Sequence, residues 1–419
     1  MEKITASIIT IGDELLIGQV VDTNSAWMSQ QLNNIGVWVH HRVAVGDVWN
    51  DMWNTLDEES DRSNIILITG GLGPTADDIT KPLLCKYFGG KLVMHQPTLE
   101  HVTYLFEHVF KRPMPLLERN RKQAEVPDVC TVLKNEVGTA PGMLFEKNGK
   151  VFISMPGVPQ EMKTIMKNEV LPLLQQRFQL PHIGHRTLVT AGVGESFLAE
   201  MIKDFEAALP GNIKLAYLPN YGILRLRLTA MGEQSKVEAE LDKQFAELKQ
   251  LVKDHLVIDE DITLEVLIGR LLKERNKTVT TAESCTGGYI AHLITSVPGS
   301  SNYFKGSVVS YDNSIKKDIL KVRDETLQTV GAVSEETVKE MLGGVLTVMQ
   351  ADYAIAVSGI MGLDGGTPGK PVGTVWVAVG NNQNIETRKF KFRYDRLKNI
   401  ELTATNALNF LREFVLKHS

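Results

Sequence analysis

Cysteine is scarce in this chain: Cys85, Cys130 and Cys285 are odd in number and far apart, so neither a disulfide framework nor a CxxC metal site can be built. A reducing, cytoplasmic setting suits such a sequence. Excess charge is also missing, with 45 Lys and Arg against 50 Asp and Glu for a net charge of −5. That balance supplies little of the attraction on which non-specific nucleic-acid binding depends, and no nucleic-acid partner is expected. No stretch reaches the ~18 uninterrupted apolar residues of a membrane span, so no membrane association is expected either. The opening MEKITASIITIGDELLIG has one basic residue and meets acids by Asp13, unlike a signal peptide.

What is present is an ordinary globular composition, 43% hydrophobic and 23% charged over 419 residues, enough for two or three domains at ~150 residues each. Strand-like 4–11, helical 24–35, strand-like 37–45, helical 48–62 and the apolar run Ile65 to Thr69 alternate at the spacing of a parallel sheet covered on both faces. The Asn148-Gly149 turn predicts a hairpin, and PGVPQEM leads into a helix to about 176, closing a first domain over 1–177. Over 183–258 the order becomes strand, helix (195–209), strand, strand and long helix, a small α+β unit resembling a KH domain. Acids there slightly outnumber Lys and Arg and the GxxG clamp is missing, so it reads as a spacer or dimerisation module. A third domain over 262–419 is again α/β, without an internal repeat or low-complexity segment.

Two constellations carry chemistry. In the first, Thr69-Gly70-Gly71-Leu72-Gly73-Pro74-Thr75 follows a buried-type strand, where an α/β sheet presents its ligand crevice. Glycines let backbone approach a phosphate, and free N–H groups attract its charge. The adjacent Asp77 and Asp78 would repel phosphate unless a divalent cation such as magnesium bridges them to it. Asp13, Glu14, Asp22 and Asp47 stand at other strand ends, on one expected edge. Physics alone leaves a plain alternative open, in which the glycines form a tight turn and the acids cap helices.

In the second, Ala282-Glu283-Ser284-Cys285-Thr286-Gly287-Gly288 joins a strand to a helix, setting the Ser284 hydroxyl where N–H groups can stabilise an oxyanion. The ten histidines are scattered, so a Ser-His-Asp triad has little support. Lysine can serve as base when burial lowers its pKa, and Tyr311-Asp-Asn-Ser-Ile-Lys316 offers a phenol at a strand end and an amine about one helical turn later. Cys285 reads as a packed thiol, and Ser284 as a helix cap is the competing plain reading.

The consecutive segments IGDELLIGQVVDTNS, ITGGLGPTADDIT, ERNRKQAEVP, VGTAPG and MPGVPQEM resemble the molybdopterin-binding (MoaB/Mog-like) domain as it occurs in the competence/damage-inducible CinA family. AESCTGG, YDNSIK, GAVSEETV and SGIMGLDGGTPGKPVGTV resemble that family's carboxyl-terminal nicotinamide-nucleotide amidase domain. The resemblance implies two three-layer α/β domains separated by the KH-like unit, a homodimer, and two hydrolytic activities on pyridine-nucleotide fragments. One is a metal-dependent ADP-ribose pyrophosphatase. The other is a deamidase turning nicotinamide mononucleotide into nicotinate mononucleotide and ammonia, with no cofactor. It places Asp47, Asp77 and Asp78 at the metal, and Glu14, Gly70, Gly71, Gly73 and Thr75 at the first ligand. Ser284 falls on the nucleophile position, Tyr311, Lys316 and Thr286 on its partners, and Gly287, Gly359, Gly362, Gly365 and Arg396 on the second substrate.

The chain departs from the family pattern twice. Ser358-Gly-Ile-Met361-Gly-Leu363 replaces TGIAGP, putting a larger Met and Leu on the substrate loop, and Ile400 stands where GDRxxxR has its second arginine. If that arginine contacts substrate phosphate, affinity for a mononucleotide falls. A non-catalytic interaction protein tied to DNA uptake or damage, and a molybdopterin binder without hydrolysis, are the rival readings.

Overall fold

The structure, a computed structural model, describes residues 4–75, 78–220 and 222–418. The chain divides into two compact units, Met1–Gly184 with Ala230–Glu240, and His185–Thr229 with Leu241–Ser419.

The first unit contains strands β1 (Thr5–Ile11), β2 (Trp38–Val45), β3 (Ile65–Thr69), β4 (Leu92–Met94), β5 (Glu125–Pro127), β6 (Thr131–Leu133), β7 (Gly142–Lys147) and β8 (Lys150–Met155). Six of them form one sheet in the order β2-β1-β3-β8-β7-β6, parallel from β2 to β8 and antiparallel at β7. All five β3 residues are buried, and the two-residue period sends them to opposite faces. Ile65 and Leu67 pack with Met28, Leu32 and Met162, whereas Ile66 and Ile68 pack with Met52, Leu56, Leu83 and Leu84. Helices therefore cover both faces, which is why β3 reads as a continuous apolar run. The register Thr10↔Thr69 and Thr69↔Met155 aligns the carboxyl ends of β1, β3 and β8 on one edge.

Strands β9 (His182–Ala191), β10 (Ile213–Asn220), β11 (Ile223–Gly232) and β12 (Leu256–Ile258) form a small sheet in the order β10-β11-β9-β12. The single helix expected over 195–209 is two, Glu195–Met201 and Lys203–Ala208, because Ile202 leaves helical geometry (φ −111°, ψ 14°) while its side chain is buried. Val189 and Ile258 join the apolar core of the carboxyl-terminal sheet, which explains why this α+β segment groups with it in the second unit.

That sheet has the order β14-β13-β15-β16-β17, from β13 (Val279–Glu283), β14 (Phe304–Val309), β15 (Tyr353–Gly359), β16 (Thr374–Gly380) and β17 (Ile385–Lys391). Strand β13 runs parallel to β14 and β15. On one face Ile355, Val357, Val375 and Val377 meet helices Leu264–Glu274 and Arg396–Lys417. On the other, Ala282, Ala354, Ala356 and Ala378 receive Val338, Leu342 and Val345 of helix Glu335–Met349. The architecture is two three-layer α/β domains separated by a small KH-like α+β domain. Among the described residues no helix is long and apolar enough to cross a membrane.

Candidate functional site

On the first unit's strand-end edge, the backbone turns out of β3 at Gly70 and Gly71, with φ of +112° and +63°. A Cβ on Gly71 would stand 2.1 Å from Thr80 Oγ1, and one on Gly70 would stand 2.3 Å from the Ile11 carbonyl, so only glycine fits. Gly157 of the PGVP turn presses against Gly70, and its carbonyl accepts from Asn24 Nδ2 at 2.8 Å. Asn24 Oδ1 and Thr80 Oγ1 are buried polar atoms with no hydrogen-bond partner among the described residues. Orphaned acceptors of this kind are rare in native interiors, and here they flank the glycine turn.

The acids on this edge fall into separate groups. Asp47 Oδ2 accepts the Asp13 N–H at 3.4 Å, and Asp13 Oδ1 accepts the Asp47 N–H at 3.2 Å, so each carboxylate caps the backbone of the other residue and ties two strand ends together. Glu14 folds over Gly12. Asp78 instead closes the Gly70–Thr75 loop: Oδ1 accepts from Gly73 N at 2.7 Å, and Oδ2 accepts from Thr75 N at 2.9 Å and from the Thr75 hydroxyl. Asp77 lies outside the described residues. No group of three or more His, Cys, Asp or Glu arranged to hold a metal ion occurs among those described. Lys81, which the sequence reading did not single out, is 8% exposed and donates to the Lys122 and Gln123 carbonyls at 3.1 Å each. Burial pulls its pKa down to about 8, against the opposing charges of Glu125 and Asp78.

In the second unit, Ser284 follows β13 directly, is 8% exposed and donates its N–H to the Val357 carbonyl at 3.0 Å. The residue before it does most to shape the turn. Glu283 is fully buried, and its carboxylate accepts from the N–H groups of Gly288, Ile290 and Ala291 at 2.8–3.1 Å and from the hydroxyls of Thr281 and Thr286. The N-terminus of helix Tyr289–Thr295 is thus already neutralised by an internal anion, and Thr286 belongs to that network. The sequence reading passed over Glu283, whose N–H partners stand five to eight residues on and meet it only through the fold of the turn.

Lys316 is 1% exposed; its Nζ donates to the Ser310 carbonyl at 2.7 Å and the Tyr311 carbonyl at 3.2 Å. Ser310 N in turn bonds the Glu283 carbonyl at 2.8 Å, so the segment whose carbonyls hold the amine is tied to the backbone of the residue before Ser284. Burial lowers the Lys316 pKa, partly opposed by Asp312. Cys285 is buried, its thiol pushed up to about 12 by desolvation and Glu283 against the pull of Lys316 and Arg396, so it is no thiolate at neutral pH. Strand β14 ends at Val309, and the exposed Tyr311 beyond it accepts from Arg396 NH2 at 3.0 Å. Arg396 also borders Gly362, 3.1 Å from where a Cβ would stand. Gly287 faces open space, Gly359 ends β15, and Gly365 lies farther along the same loop at φ +91°.

The two departures in the loop resolve differently from expectation. Met361 is 2% exposed and belongs to the core, while Leu363 is 93% exposed and points to solvent. Ile400 packs against that same core. Buried Asn399, also missed in the sequence, ties the segment together by donating to the Tyr394 carbonyl at 2.9 Å and the Met361 carbonyl at 3.4 Å. A hollow of about 850 Å³ in this unit lies among Arg275, Lys277, Asp352 and Asn381. Lys277 and Asp352 precede β13 and β15, so it opens at the amino ends of those strands, opposite Ser284.

An α/β edge with a glycine turn, a KH-like middle and a second α/β sheet with a serine turn define a three-part protein class. Family models match each part in turn: the probable molybdopterin binding domain over residues 7–176, the damage-inducible protein CinA KH domain over 185–257, and the CinA C-terminal domain over 261–415. A CinA-like protein of Cytophaga hutchinsonii is 48% identical, covering 98% of this chain and 97% of that protein. One from Flavobacterium psychrophilum is 45% identical over 99% of each. The chain belongs to the CinA family. Among solved structures, the competence/damage inducible protein CihA from Agrobacterium tumefaciens is 38% identical, covering 36% of this chain and 92% of that one with a TM-score of 0.35.

Proposed function

We propose that the chain is a cytoplasmic hydrolase that recycles pyridine-nucleotide fragments, cleaving ADP-ribose at the first unit's edge and deamidating nicotinamide mononucleotide at the second's. The observation that supports the second activity is the buried amine of Lys316, held by the Ser310 carbonyl while Ser310 N bonds the carbonyl of Glu283, the residue before Ser284. A neutral amine has two N–H bonds and one lone pair. The Ser310 and Tyr311 carbonyls take the two donors, which leaves the lone pair for the Ser284 proton. Ser284 Oγ then attacks the amide carbon, the ammonium returns the proton to the departing ammonia, and water hydrolyses the resulting ester. Arg396 and Tyr311, paired at the rim beside Gly362, offer the donors for substrate phosphate.

At the first edge the acids offer only oxygen, which fits a hard divalent cation such as magnesium, and Asp13 and Asp47, tied together through their backbone N–H groups, are the residues that would hold it. When bound, such a cation supplies charge neutralisation for a diphosphate. The Gly70–Thr75 turn then orients that diphosphate, with Asp78 fixing the turn's shape. Incubating the purified chain with both nucleotides, with and without divalent metal, and separating the products tests both assignments. Release of neither ammonia nor AMP would remove the hydrolase reading. The match to a molybdopterin-binding model favours a second reading of the first unit, binding without cleavage; retention of ADP-ribose unhydrolysed in the presence of metal would support it.

A further inference from the structure

Asn399 stands in the first turn of helix Arg396–Lys417 and is wholly buried. Its Nδ2 donates to the Tyr394 carbonyl at 2.9 Å and to the Met361 carbonyl at 3.4 Å, while its Oδ1 accepts the Tyr394 N–H at 3.2 Å. One side chain thus engages both backbone groups of Tyr394 and reaches across to a second segment. That combination needs two donors and an acceptor on a short stem, which singles out asparagine: aspartate has no donor, serine has one and leucine none. Removing the amide leaves three backbone groups without these partners in a buried setting.

The two segments so joined are the ones that meet at Arg396. Tyr394 lies just ahead of it in the chain, and Met361 immediately precedes Gly362, whose Cβ would stand 3.1 Å from Arg396 Nη1. Both sides are anchored. Met361 is buried in the core, and Asp395 caps the helix by accepting from Lys398 N at 3.0 Å while its carbonyl takes the Asn399 N–H at 2.9 Å. Arg396 itself is exposed, and among the described residues the Tyr311 hydroxyl is the one group that its guanidinium bonds. A long cationic side chain binds an anion more tightly when the backbone beneath it is already fixed, because less freedom is lost on binding. Ile400 packs against the core and adds no second cation, so the fixing falls on Arg396 alone.

We infer that Asn399 is a positioning residue for substrate phosphate, acting through Arg396 by holding it against the Gly362 loop, an assignment that rests on the deamidase reading of this unit. The test is a double-mutant cycle on the full chain: wild type, Asn399→Leu, Arg396→Gln and the double variant. Calorimetry reads the Kd of nicotinate mononucleotide, the product, which keeps the phosphate and is not turned over, and of nicotinate riboside, which lacks it. Asn399→Leu should raise the mononucleotide Kd about tenfold, the double variant should bind no more weakly than Arg396→Gln, and the riboside Kd should be the same in all four. The KM for nicotinamide mononucleotide should rise by the same factor with kcat unchanged. Asn399→Ser leaves room for water on the freed backbone groups and should show the same phosphate-selective loss, smaller in size, even if the leucine variant does not fold. Equal weakening of mononucleotide and riboside, or a loss that adds to that of Arg396→Gln, would overturn the assignment and leave Asn399 a plain structural residue. If the cycle behaves as expected and the wild type releases no ammonia, the positioning stands and the deamidase reading falls; if ammonia is released and neither variant changes KM, the positioning falls alone. A wild type that binds neither compound overturns both.

Discussion

Each unit buries one lysine that grips two backbone carbonyls, Lys81 in the first and Lys316 in the second, and burial lowers the pKa of both. Their surroundings separate them. Lys81 reaches carbonyls 41 and 42 residues away and splints the 122–124 turn to helix Thr80–Tyr87. Lys316 holds carbonyls only 5 and 6 residues back, so its grip closes a local turn whose far side is bonded to the Glu283-Ser284 backbone. A buried lysine is therefore no site by itself; what distinguishes Lys316 is that the backbone it grips is bonded to the residue before Ser284. The acids differ in the opposite sense. Glu283 is fully buried with its carboxylate bonded internally, whereas Asp13 is exposed, so the cation proposed there would be bound at small desolvation cost.

The sharpest way to break this contrast is at Ser284. Ser284→Ala should lower ammonia release from nicotinamide mononucleotide by about 10⁴-fold or more, and Lys316→Met nearly as far, with the double variant little worse than either, since groups acting as a unit do not lose rate additively. Cys285→Ala should keep most of the activity, because its thiol is protonated and packed. ADP-ribose cleavage should be untouched in all of them, as it draws on a separate core. If Cys285→Ala abolishes ammonia release and Ser284→Ala spares it, the nucleophile has been misassigned.

The acids of the first unit should separate next. Asp47→Asn keeps the shape and loses the charge, so ADP-ribose cleavage should fall about 100-fold while the unfolding temperature stays put. Asp78→Asn should lose activity with a measurable drop in stability, because an amide nitrogen would face N–H donors that now meet a carboxylate. Equal thermal stability of the two variants, followed by calorimetry, would show that Asp78 is a ligand and not a loop clasp.

How much was legible follows from what each residue does. The β3 strand could be read directly, since five apolar residues buried on both faces leave a plain run in the sequence. Ser284, Lys316 and Arg396 were nominated by motif; the structure adds that Ser284 and Lys316 are buried and that the exposed Arg396 pairs with Tyr311. Glu283 went unremarked because its role depends on N–H groups up to eight residues on being brought back to it. Met361 and Leu363 were both read as loop lining, but which of two neighbouring apolar residues enters the core is decided by the loop's backbone path, and local pattern does not encode that.

A smaller effect concerns pH in the second unit. Desolvation favours the neutral form of Lys316, so ammonia release should rise with pH along one ionisation lying below the ordinary lysine range. Asp312 opposes that shift and also caps helix Asn313–Asp318 by accepting from Ser314 N at 2.7 Å. Asp312→Asn keeps a capping oxygen and removes the charge, so the profile should move to lower pH by a fraction of a unit. A profile that moves upward would mean that Asp312 does not set the amine's ionisation.

The smallest expected effect tests whether Lys81 is only a splint. Its folded pKa of about 8 lies below the ordinary 10.5. Between those values the unfolded chain holds a proton that the folded chain has released, so this residue's contribution to stability rises with pH across the window and is flat below it. The slope is on the order of 1 kcal/mol per pH unit. Thermal unfolding of the wild type and Lys81→Met at several pH values from 8 to 10 isolates that slope, because every other titrating group is common to both. The wild type should gain on the variant as pH rises. A constant difference would mean that the amine keeps its proton in the folded state, held by Glu125 and the two carbonyls more strongly than burial opposes it.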